Sequence, residues 1–160
     1  VEIVLDEDFG ELRFDGVWTG SCEVVIFQER SEVELVVQTF DDNPISETQR
    51  LSYREFLLDS AFICSSVEEA VFNYYNDRLS EFRECLDACE VNEKAPQVSS
   101  VGDMGKLVTL IGIKVMYPFD PGVRQIGFIF DAVFDSQLGV GVLVTNGSVE
   151  AVEVQDFLLS

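Results

Sequence analysis

Apolar and polar residues alternate in short runs along the first 40 positions, which predicts strands. Val1 to Leu5 and Glu11 to Phe14 are two such pieces, joined by the acidic turn Asp6-Glu7-Asp8-Phe9-Gly10. Two longer strands follow, "CEVVIF" at Cys22 to Phe27 and "EVELVVQTF" at Glu32 to Phe40, rich in β-branched residues and separated by polar "QERS". They predict a hairpin. Alternation in the second puts Val33, Leu35 and Val37 on one face and Glu32, Glu34 and Gln38 on the other, so one face is expected to be wet.

At Asn43-Pro44 the period changes from two to about 3.6. Ser46 with Gln49 has the spacing of a capping box, in which each side chain satisfies a free backbone N–H at a helix start. This predicts a helix from Glu47 to Leu58 that buries Leu51, Phe56 and Tyr53. Ser66 with Glu69 repeats the device, and Val67, Ala70, Val71, Tyr74 and Tyr75 form an apolar stripe at helical spacing, predicting a second helix that runs to Asp87. Val91 to Gly105 has loop composition, and the β pattern returns with "LVTLIGIKVMY", the turn "PFDPG" and "QIGFIFDAVF".

The closing stretch "DSQLGVGVLVTNGSVEAVEVQDF" holds Gly139 and Gly141, the first two positions of a nucleotide fingerprint. The third glycine is replaced by Val144 and a strand follows, so that reading fails. A two-residue turn at Asn146-Gly147 instead predicts a hairpin in which Val144 faces Val149, Val142 faces Ala151 and Val140 faces Glu153. The glycines then leave a shallow trough for close packing of a helix or another backbone. The whole predicts one α+β domain over residues 1–160, with a twisted antiparallel sheet of six to eight strands and two helices inserted after the N-terminal β unit.

Charge changes the functional picture. Thirty acidic residues against ten basic ones, with no histidine, give a net charge of -20. Residues 1–45 carry twelve acids and two bases, half of that excess. Such a field repels nucleic acid and anionic membrane and attracts basic partners, or it serves only to keep the chain soluble. No cationic start precedes an apolar stretch, so no secretory signal is expected, and the four cysteines read as reduced cytosolic thiols.

Candidate chemistry is sparse. Asp131 and Asp135 are the best carboxylate pair, but four residues along a strand span about 13 Å, too far for glycoside hydrolysis. Cys85 and Cys89 are placed on one helix face, with Cys22 and Cys64 isolated. Without histidine or a C-x-x-C, all four read as buried small residues rather than as a zinc site or a nucleophile. No calcium-loop pattern is present, and no cofactor or metal is expected. Phe72, Tyr74 and Tyr75 read as helix core rather than as a base-stacking platform.

"ISETQRLSYREFLLDSAFICSSVEEAVFNYY", "LVTLIGIKV" and "DSQLGVGVLVTNGSVEAVEVQDFLL" together resemble, in order, an uncharacterised bacterial domain family found among polymorphic-toxin immunity proteins, which includes the CdiI-type proteins of contact-dependent growth inhibition. The resemblance runs from Phe9 to Leu159, most specifically at Gln49 to Tyr53 and at the final hairpin with Gln155-Asp156. It implies a cytoplasmic, non-enzymatic protein that binds and blocks one cognate toxin domain, commonly a nuclease. No active-site residues carry over with it. Since nucleases hold polyanions with Lys and Arg, an acidic protein can occupy such a site as a substrate-like surface.

On charge density and expected exposure, the toxin-contacting acids nominated are Asp6, Glu7, Asp8, Glu11 and Asp15 around the N-terminal turns, with Glu32, Glu34, Asp41 and Asp42 on the wet strand and its exit. The competing expectations are an acidic scaffold or regulatory protein with no toxin partner and, last, a hydrolase using Asp131 and Asp135.

Overall fold

The computed structural model describes residues 1–159. Its centre is one open eight-stranded sheet whose spatial order follows the chain: β1 (Glu2–Asp6), β2 (Gly10–Phe14), β3 (Trp18–Ile26), β4 (Glu29–Val37), β5 (Val108–Val115), β6 (Gln125–Ala132), β7 (Val140–Thr145) and β8 (Ser148–Glu153). Every neighbouring pair is antiparallel except β4 and β5, which run parallel with Leu35 opposite Ile113 and Val37 opposite Val115. The α+β class and the strand number are those expected from the pattern. The parallel seam was not, because the intervening helical segment returns the chain to the end of β4 where it started, and no local signal encodes that direction.

The helices are α1 (Glu47–Leu58), α2 (Ser60–Asp77), α3 (Leu79–Glu84), α4 (Val91–Lys94) and α5 (Asp156–Leu159), with a 3-10 turn at Val101–Lys106. Five helices thus replace the two expected, and α4 with the 3-10 turn accounts for part of the expected loop from Val91 to Gly105. Ser46 and Gln49 do form the capping box of α1. Its buried side is Gln49, Ser52, Tyr53 and Phe56, while Leu51 is exposed, contrary to the sequence reading. Ser66 caps nothing: its hydroxyl donates to the Phe62 carbonyl inside α2. The helix begins seven residues earlier because Asp59 serves both helices, its N–H donating to Glu55 O and its carbonyl accepting from Ile63 N. The apolar stripe correspondingly starts at Ile63 and Cys64 and continues through Val67, Val71, Tyr74 and Tyr75. The run to Asp87 is interrupted at Arg78, whose N–H is shared between the Tyr74 and Tyr75 carbonyls.

One sheet face carries the core. Leu12, Cys22, Val24, Val33, Leu35, Val37, Ile113, Val115, Phe128, Phe130, Val140 and Val142 lie under α1 and α2. The β3–β4 turn is tighter than "QERS" suggests. It uses Phe27 and Gln28, both at positive φ, and the Phe27 N–H donates to the Glu68 carboxylate on α2 at 2.8 Å. Gln38, expected on the wet face, is buried where β4 ends, its side-chain carbonyl accepting from Tyr117 N.

The opposite face is covered only over its C-terminal half. There α5 lies on Gly127 and Gly141, and Lys114 Nζ, buried on the same face, donates to Leu158 O at 2.6 Å. Burial holds the Lys114 amine below its ordinary pKa. The final hairpin turns at Asn146-Gly147, both at positive φ, and pairs Val144 with Val149 as expected. A bulge between Leu143 and Val144 then slips the register, so that Val142 faces Val152 rather than Ala151, and Gly141 rather than Val140 faces Glu153. A Cβ on Gly141 would lie 2.8 Å from Phe157 Cε1 and 2.9 Å from Leu158 Cδ1. Gly141→Val is therefore expected to unseat α5 and lower stability by about 2 kcal/mol. Faster amide exchange confined at first to residues 156–159 would show it, and an unchanged denaturation midpoint would refute it.

Candidate functional site

The register distributes the nominated acids over distinct surfaces. Arg13 opposite Thr19, Thr19 opposite Val36 and Ser21 opposite Glu34 place Glu11, Glu32 and Glu34 on the uncovered half of the second sheet face. Glu23 belongs there too, directly across from Glu32. Like charges opposed on a ladder repel. Arg30 relieves one of them, bonding Glu23 at 2.6 Å in a largely exposed pair that contributes little to stability. Glu11, Glu32 and Glu34 are exposed, and among the described residues no ion pair involves them. Ile3, Leu5 and Val25 stand exposed on the same face, giving it apolar footing between the carboxylates.

Asp6 and Asp8 occupy the β1–β2 turn and are taken up by the protein itself. Arg50, on the first turn of α1, binds both Asp6 oxygens at 2.9 Å and reaches Asp8 Oδ2 at 2.9 Å. Arg54, one turn on, binds Asp8 at 2.7 and 2.9 Å. Only 12% of the Asp6 side chain and 10% of the Asp8 side chain are exposed. The Arg50 guanidinium, aided by the Asp8 and Phe9 N–H groups, holds Asp6 down to a pKa of about 2, and Arg54 together with Arg50 lowers Asp8 as well. These two acids clamp the hairpin to α1, and the free acid of that turn is Glu7. Sequence reasoning missed the clamp because its partners lie more than 40 residues away; the Arg50–Arg54 helical spacing was the signal available.

Asp41 and Asp42 lie beyond the end of β4 on the helix-bearing side. With Glu2 they line a cleft of about 460 Å3 whose walls include Val4, Leu12, Phe14, Trp18 and Ile45. Asp15 is exposed in the β2–β3 turn.

The remaining candidates resolve simply. Asp131 is exposed on β6, while Asp135 lies past its end, half-buried, and burial raises its pKa. Cys22 and Cys64 are buried, and burial pushes both thiols up, Cys64 to about 12. Cys85 and Cys89 are exposed and fall after α3 ends, so they share no helix face and are not core residues. Tyr74 and Tyr75 are core, the Tyr75 hydroxyl donating to Pro96 O. Among the described residues there is no cluster of His, Cys, Asp or Glu suited to a metal ion, and no helix is long and apolar enough to cross a membrane.

Fold and surface together define an α+β domain with a half-covered sheet and a strongly acidic N-terminal half. The chain belongs to the family described as a domain of unknown function (DUF6985), which matches residues 8–159. No curated protein and no solved structure matches it.

Proposed function

We propose that this protein is a cytoplasmic immunity protein that binds a cognate basic toxin domain, a nuclease of the CdiA C-terminal type, and blocks its active site with an acidic surface. The observation that carries the reading is the uncovered sheet face, where the exposed carboxylates of Glu11, Glu32 and Glu34 have no ion-pair partner among the described residues and stand beside exposed Ile3, Leu5 and Val25. Carboxylates held on a sheet are spaced by the ladder rather than by flexible loops, so their field is preorganised for a basic surface. With a net charge of -20 behind them, they steer a cationic partner at long range.

Binding should be measured against the toxin domain encoded immediately upstream, by titration calorimetry at low and moderate salt. Tight one-to-one binding that weakens with salt is the expected result, and no heat at either salt removes the reading for that partner. Reversing both charges, Glu32→Lys with Glu34→Lys, should cut the low-salt association rate by about tenfold while changing dissociation less. Unaltered association would move the contact off this face.

A further inference from the structure

Asp41, Asp42 and Glu2 line, together with Phe14 and Trp18, a cleft on the helix-bearing side of the sheet, across the β1 edge from the open acidic face. The cleft is walled by β1, β2 and the start of β3 on one side and by the chain leaving β4, residues 39–45, on the other. Its volume of about 460 Å3 falls within the range of about 300–1,000 Å3 typical of small-ligand sites. Phe14 and Trp18 pack with ring centroids 4.8 Å apart at 55°, and both stay half-buried rather than closing over into the core. Arg50 also borders the cleft but is already committed to Asp6, which leaves Glu2, Asp41 and Asp42 without an ion pair among the described residues.

The protein builds the same chemistry once more nearby, and there it is filled. Arg50 lies 5.6 Å over the Phe9 ring and is held by two aspartates, Asp6 and Asp8. The cleft offers a similar set, two aromatic rings and three carboxylates, and among the described residues the one guanidinium lining it, that of Arg50, is already engaged by Asp6 and Asp8. We infer that this cleft receives an arginine side chain from a basic protein partner, its aliphatic stem over Phe14 and Trp18 and its guanidinium between Asp41 and Asp42. Arginine fits better than lysine because its planar head both stacks on an indole face and pairs with carboxylates in a fixed fork. The inference rests on the proposed function only in taking the arginine from a basic protein.

Trp18 is the one tryptophan in the chain, so it reports on the cleft directly. The probe is the capped tripeptide acetyl-Gly-Arg-Gly-amide, compared with its citrulline counterpart, which has nearly the same shape but no charge. Trp18 fluorescence and the Trp18 indole N–H resonance should shift saturably with the arginine peptide, and at least about fivefold more weakly with citrulline. Asp41→Asn with Asp42→Asn should weaken the arginine response about fivefold or more. Asn is well suited to position 41, where φ is +54°, so the variant keeps the loop. The pair Glu84→Gln and Glu93→Gln removes the same charge from exposed sites elsewhere and should leave binding unaltered. Equal binding of citrulline, equal weakening by the Glu84 and Glu93 variants, or no saturable response would each overturn the inference. Because the tripeptide requires no toxin, this result is independent of the toxin titration: the cleft can hold arginine when the immunity reading fails, and the reverse.

Discussion

Gln49→Leu is expected to lower the stability of the fold by about 3 kcal/mol, well beyond the loss of one helix cap. Gln49 is completely buried and all of its side-chain polar atoms are used. Its carbonyl oxygen accepts from Ser46 N at 3.0 Å and from the Ser46 hydroxyl at 3.1 Å, closing the capping box. Its Nε2 reaches the other way, donating to Gln38 O at 2.6 Å and to Val115 O at 3.3 Å. Those carbonyls stand at the ends of β4 and β5, so a single amide fastens the start of α1 to the parallel seam. Leucine matches the volume but offers no donor, and it leaves the Ser46 N–H without its capping acceptor. The cap alone accounts for about 1 kcal/mol, and loss of the buried donor accounts for about 1–3 more. Urea denaturation should show a lower midpoint with an unchanged slope. A loss below about 1 kcal/mol would mean that Gln49 acts as a cap and nothing else.

Arg50→Met should cost about 2–3 kcal/mol at neutral pH, because it strands two mostly buried carboxylates. The effect should depend on pH in a defined direction. Asp6 has its pKa lowered from 3.8 to about 2 in the folded protein, chiefly by Arg50. A lowered carboxylate contributes stability that is present above its unfolded pKa and is lost as pH falls through the folded value. For Asp6 that contribution is about 2 kcal/mol at neutral pH, disappearing between roughly pH 4 and pH 2. Wild type and Arg50→Met should therefore differ most at pH 7 and converge by about pH 2, while Asp6→Asn should flatten the wild-type decline across that window. Using the difference between variants removes the background from the other acids, whose protonation relieves general repulsion over the same range. A gap between wild type and Arg50→Met that stays constant from pH 7 to pH 2 would show that the arginine contributes by packing on Phe9 rather than by charge.

What the sequence made legible was whatever is encoded within a few residues. Ser46 and Gln49 announce α1 at the right residue because both halves of a capping box are local, and Asn146-Gly147 announces a hairpin because only such residues accept positive φ at both turn positions. The same logic failed at Ser66, where the serine–glutamate spacing recurs inside a helix already under way. It failed at Leu51 as well, since its apolar side chain alone assigned it to the core, and the capping-box pattern gave no sign that Gln49 is also buried on the distant carbonyls of Gln38 and Val115. For the surface, charge density correctly singled out the N-terminal third as acidic. It could not separate acids facing solvent from those clamped by Arg50 and Arg54, nor show that Glu34 and Asp42 lie on opposite sides of one sheet. Those distinctions depend on strand register and on contacts across 40 or more residues.

The sheet is not closed, and its two free borders are β1 and β8. Border strands with exposed apolar side chains are templates for stacking one copy on another, and β1 presents Ile3 and Leu5 outward, the latter 86% exposed. Both borders carry exposed carboxylates, Glu2 on β1 and Glu150 and Glu153 on β8. Two identical molecules approaching border to border bring acid against acid, whichever borders meet. A strand from a cationic protein meets no such barrier. Acidity that opposes border-to-border stacking of two copies sets no such barrier against a molecule of opposite charge, so the same residues bear both on self-association and on the partner proposed above.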